Sequence, residues 1–200
     1  MSTTLTAPNS VLYLPEDTVT ALLRAFVITV ITNVTFQVVR AQANRVPEPD
    51  VPDFCVITPL RRPRLSTNVS SYYDPLAATP PVLNAFGLRN VMQPTQIDYQ
   101  LDVHGPSSAD NAQIIATLFR DIYAFEFFRN NAAAVSPSPG VIPEIQPLYA
   151  DDPRQMYYEN DSGQVEDRWI VEVSLQGNAV VTVPQDFAAQ LDVAAMVSFP

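Results

Sequence analysis

The stretch QPTQIDYQLDVHGPSSADNAQIIATLFRDIYAFEFF (93–128) sets two hydrophobic periods back to back, and its reading decides the fold class. Ile97, Tyr99, Leu101 and Val103 alternate with Gln96, Asp98, Gln100, Asp102 and His104. Side chains of a strand switch faces at each residue, so this is a strand with one buried and one wet face. Gly105-Pro106 ends it, because proline cannot donate to a ladder and glycine tolerates a sharp turn. Ser107, with Asp110 three residues on, reads as a helix start: the hydroxyl caps an early N–H and the carboxylate sits in the positive first turn. Ile114, Ile115, Leu118, Phe119, Ile122 and Phe125 then recur at steps of mostly three and four, opposite Gln113, Thr117 and Arg120. A half-buried strand feeding a long amphipathic helix is the expected core unit.

Working outward, residues 1–14 read as an arm: polar and without helical period. Pro15 opens a second helix, with Glu16 and Asp17 at its positive end. Its stripe is Val19, Leu22, Leu23, Phe26, Val27 and Val30, and it ends near Thr32-Asn33. Residues 34–40 and 54–60 have strand composition, and Pro63 places the end of the second at a sheet edge or exit. Residues 68–92 show no period and contain Pro75, Pro80 and Pro81; residues 129–147 are similar, with Pro137, Pro139 and Pro143. Both read as long loop extensions. Residues 160–163 (NDSG) read as a hairpin turn between strands at 155–159 and 164–176. Trp169, Val171, Val173 and Leu175 share a face of the returning strand, and Gly177 marks a bulge or bend. Pro184 ends that strand; a short helical turn at 185–190 and a last strand at 193–199 follow. The expectation is one domain over 1–200, of α+β class: a mainly antiparallel sheet with two long amphipathic helices packed on one face, plus the loop extensions.

All 11 cations are arginines, against 21 acids, for a net charge of -10. An acidic chain is a poor general binder of nucleic acid, whose affinity comes mostly from cations on phosphates. Only 16% of residues are charged, below the roughly 25% of ordinary soluble domains. Biased composition explains that, and so does a surface covered by other subunits. The start of the chain lacks a signal peptide's basic end and apolar run, and no apolar run approaches the length of a membrane span. A soluble protein made in the cytoplasm is expected, with no membrane partner.

Chemistry is short of supply. His104 is the only histidine and Cys55 the only cysteine, so neither a zinc set nor a disulfide framework is available. There is no Gly-x-Ser-x-Gly elbow, phosphate loop or dinucleotide fingerprint. Asp151-Asp152 and Asn160-Asp161 miss the calcium-loop spacing and read as solvated turns. No catalytic residue, metal or cofactor is expected. The one concentrated charge feature is Arg61, Arg62 and Arg64. It reads either as a solvated strand exit or as a contact with carboxylates of an adjacent copy; the acidic remainder of the chain favours the second.

These residues also carry a resemblance. Pro52-Asp53-Phe54 with TPLRRPRLSTNV (58–69), the stretch at 93–121, PLYADDPRQ (147–155), EDRW (166–169) and VTVPQDFA (181–188) resemble the bacteriophage neck or tail terminator proteins. The likeness covers most of 47–188 and departs at 70–92 and 129–141. It implies a structural virion protein, a homo-oligomeric ring of about six copies that caps the head-proximal end of the tail tube and stops its growth. The implied partners are the tail tube protein, the head–tail connector or other neck proteins, and the tail sheath if the tail contracts, with DNA only as passing cargo. Arg61, Arg62, Arg64, Arg154 and Arg168 are the implied interface residues. The alternatives are another neck, head-completion or tail-tube protein of the virion and, from a different class, a small hydrolase.

Overall fold

The computed structural model describes residues 11–41, 49–74, 87–136, 143–159, 163 and 165–185. Its elements, in chain order, are β1 (Val11–Leu12), α1 (Glu16–Val30), β2 (Gln37–Arg40), β3 (Phe54–Arg61), β4 (Val69–Tyr73), β5 (Gly87–His104), α2 (Ser108–Phe119) and α3 (Ile122–Asn131). There follow a single 3-10 turn at Ala132–Val135, β6 (Ile145–Ala150), β7 (Arg154–Gln155), β8 (Tyr158–Glu159), β9 (Val165–Glu166) and β10 (Arg168–Gln185). Hydrogen bonding orders the main sheet β1-β10-β5-β3-β2, with β4 also on β5 and β6 and β7 also on β10. The pair β2–β3 is parallel, so the sheet is mixed. Strands β8 and β9 form a small antiparallel pair of their own.

This overturns the expected architecture. Strand makes up 46% of the described residues and helix 28%, and the helices are short, at 15, 12 and 10 residues. The sheet is the frame, not two long helices. The long helix expected after Ser107 breaks at Asp121, whose backbone is extended and whose carboxylate accepts from the Tyr123 N–H at 2.9 Å. A short acidic side chain that satisfies the backbone locally starts a new helix instead of continuing the old one. The break also turns the stripe: Ala112, Ile115, Ala116, Phe119, Ala124 and Phe128 are buried, whereas Ile114, Ile122 and Phe125 are exposed.

The chain falls into two compact units. The larger, 13–67 with 93–179, holds the three described helices α1–α3 and β2, β3 and β6–β9. Its core joins the expected α1 stripe to Ile57, Ile97, Tyr99, Leu101 and Val103, and to Val171, Val173 and Leu175 of β10. Phe26 is the hub, with the rings of Phe119, Phe127 and Phe128 centred 5.5–5.7 Å away. The Tyr99 hydroxyl, at the floor of the core, meets Thr20 Oγ1 at 3.0 Å. Gly177 is no bend. A methyl there would stand 2.4 Å from Leu14 Cδ2 and 3.2 Å from Ile97 Cδ1, so the glycine makes room, and the register shift falls at Ser174/Leu175.

The smaller unit combines 1–12, 68–92 and 180–200. Here β4 pairs antiparallel with the start of β5, from Val69↔Met92 to Tyr73↔Leu88. Eleven of the 25 residues of the expected 68–92 loop are therefore sheet. Its period was hidden because every residue of β4 is exposed, so no face had to be apolar. The turn and strand expected at 185–190 and 193–199 fall, but for Gln185, outside the described residues.

One junction fixes the larger unit. Gly105 has φ 102°, and a Cβ on it would lie 1.9 Å from the Pro52 carbonyl oxygen and 2.7 Å from Asp53 Oδ1. Only glycine fits. The Ser107 hydroxyl makes no cap; instead Asp53 Oδ1 accepts from the Ser107 N–H at 2.9 Å.

Candidate assembly interface

The face of β5 opposite the core was expected to be wet, yet Asp98, Asp102 and His104 are 4–5% exposed. Arginines close it. Asp98 accepts from Arg61 Nε at 2.6 Å, Gln96 Nε2 at 2.7 Å and Ser174 Oγ at 2.7 Å. Asp102 accepts from Arg168 Nη2 at 2.6 Å and Nε at 3.1 Å, and from Gln100. Arg154 of β7 reaches Glu172 of β10 at 2.5 Å. Burial alone would raise the Asp98 pKa; the bonds from Arg61, Gln96 and Ser174 and the Arg61 charge outweigh it and hold the carboxyl below its ordinary value. Arg61, Arg154 and Arg168 thus find carboxylates within their own chain.

Arg62 and Arg64 do not. Arg62 Nη1 reaches the Leu14 carbonyl at 3.4 Å, and its guanidinium also lies against the Tyr99 hydroxyl. Among the described residues the Arg64 side chain has no hydrogen-bond or ion-pair partner, and its backbone bridges to Thr95. Residues 61–70 are all exposed. The five arginines therefore form two sets: Arg61, Arg154 and Arg168 paired with carboxylates of their own chain, and Arg62 with Arg64 exposed on a segment that runs along residues 94–96. The tying carboxylates Asp98 and Asp102 were visible in the sequence as the polar parity of β5. Their partner arginines lie 37 and 66 residues away, with no local signal.

His104 stacks flat on Phe54, centroids 4.6 Å apart, with the edge of Tyr158 at 4.9 Å. Burial and the Arg168 charge lower its pKa, against Asp102 and Glu166. A ring so enclosed is a packing element. Beside it opens a cleft of about 520 Å³ lined by Asp50, Pro52, Phe54, Pro106, Glu166 and Asp167, among others. Among the described residues no group of three His, Cys, Asp or Glu is placed to hold a metal ion. No described helix is long and apolar enough to cross a membrane.

The model of the family described as phage neck terminator protein matches residues 17–196. The chain belongs to that family. No curated relative matches it. The match runs through both compact units and all five candidate arginines. Membership makes this terminator-family chain a structural component of the phage particle, at the neck where tail and head join.

Proposed function

We propose that the protein assembles as a closed ring of six copies on the head-proximal end of the tail tube, halts tube growth and offers its outer side to the head–tail connector. The family match over 17–196 carries this reading. A tube of repeating rings presents the same free edge after each addition, so growth stops only when something different occupies that edge. The protein binds the tube end through one side and refuses a further tube subunit at the other, by binding and not by catalysis.

Other features support it. Large apolar side chains stand in water, among them Tyr72, Ile122, Tyr157 and Val165, each more than half exposed, on a chain with few charges to keep such a surface apart. A net charge of -10 suits a channel through which DNA slides, since a basic lining would hold phosphate. In this reading the protein is made in the host cytoplasm, and a contractile tail adds the sheath to its partners. Deleting the gene tests it. The expected particles are filled heads without tails, beside detached or overlong tails, counted by electron microscopy. Unfilled heads with normal tails would instead assign the protein to head completion.

A further inference from the structure

Two features at opposite ends of β3 complement each other. At its start lies the cleft beside Phe54. Pro52, Phe54 and Pro106 give it apolar walls, and Asp50, Glu166 and Asp167 give it carboxylates. Among the described residues no arginine forms an ion pair with Asp50 or Asp167; the Asp167 side chain accepts only from Gln155, at 3.4 Å. Just past the end of the strand runs the exposed Arg62-Pro63-Arg64 segment, held along residues 94–96 by backbone bonds, whose guanidiniums meet no carboxylate among the described residues. The strand is eight residues long, so the two features are roughly 25 Å apart at about 3.3 Å per residue. They cannot meet within one copy.

We propose that the exposed Arg62-Pro63-Arg64 segment of one copy docks its arginine side chains into this cleft on a second copy; the inference rests on the ring reading above and names the surfaces that meet. The fit is chemical. An arginine stem packs on apolar walls while its planar head forks onto carboxylates. The cleft's volume exceeds that of one such side chain, and the proline, with the backbone bonds to Pro94 and Gln96, stiffens the segment that presents it. Arg64 is the principal anchor, since Arg62 already leans on the Leu14 carbonyl. A cleft at one end of the strand and a plug at the other make a head-to-tail contact, the kind that closes into a ring when its rotation allows. Arg61 stays out of the joint, because its Nε serves Asp98.

Crosslinking tests the contact in assembled particles. Cys55 is fully buried, so cysteines introduced together as Arg64→Cys and Asp167→Cys are the reactive thiols. A short bis-maleimide should convert the protein of purified particles into a ladder of covalent oligomers, while either single variant stays monomeric. Oligomeric rings that give no ladder would overturn the proposed contact and leave the ring standing. A single copy per particle would remove the ring reading itself. If the double-cysteine chain does not assemble, charge exchange decides. Arg64→Asp and Asp167→Arg should each weaken self-association about a hundredfold, read by sedimentation or, where rings form only on tails, by the yield of tailed particles. Together in one chain they should recover most of the loss. A combination no better than the single variants would overturn the contact.

Discussion

On the helix side of β5, Ile97, Tyr99, Leu101 and Val103 are at most 2% exposed; on the reverse, Asp98, Asp102 and His104 are at most 5% exposed. The first side is closed by an aromatic cluster, the second by arginines folded over carboxylates. Equal burial therefore conceals unequal energetics. Apolar burial adds stability in proportion to the area removed from water. A buried ion pair mainly returns what its own desolvation cost, and harms chiefly when one partner is lost.

The largest effect should come from the helix side. Phe26→Ala removes the ring around which Phe119, Phe127 and Phe128 are arranged and should cost about 4 kcal/mol, read by denaturant unfolding. A loss under about 1 kcal/mol would mean that the helices close over the gap. On the reverse side, Arg168→Met leaves Asp102 buried with only Gln100 as hydrogen-bond partner among the described residues and should cost about 3 kcal/mol. Adding Asp102→Leu should restore most of it, because the uncompensated charge and not the missing bond is the damage. A double variant as weak as the single one would show the pair to be a net stabiliser.

The smallest effect is a pH dependence. His104 titrates below its ordinary value of 6.5 in the folded chain. The unfolded chain takes up a proton near 6.5 that the folded chain refuses. Stability is thus full above that pH and falls as the pH drops from 6.5 through the folded value. Asp98, lowered by its partners, adds a second loss, which begins as the pH falls toward 3.8 and continues through its folded pKa. Melting curves between about pH 7.5 and 5 should show the histidine slope, and His104→Phe should flatten it while keeping the stack on Phe54.

How much of this was legible follows from the same contrast. The α1 stripe and the apolar parity of β5 could be read directly, because burial against a helix layer imposes a period. Strand β4 was missed because all five of its residues are exposed, so burial did not force them to alternate. The polar parity of β5 was read correctly but assigned to water, since alternation gives the face of a side chain and not what lies over it. The helix break at Asp121 was masked by apolar residues that continue the spacing on both sides. Of the five candidate arginines, the cluster at 61–64 was evident as a run. That Arg61 belongs to the fold while Arg64 stands free depends on Asp98, 37 residues away, and the acidic cleft is assembled from segments more than a hundred residues apart.

Gly105 has a consequence in descent. The carbonyl of Pro52 fills the space where any other residue would place its Cβ, so drift cannot pass through this position one substitution at a time. Lineages that share this fold should keep a glycine between the strand and its helix, together with a short acceptor side chain at the place of Asp53. Where the glycine has gone, the segment that carries Pro52 should have been rebuilt with it.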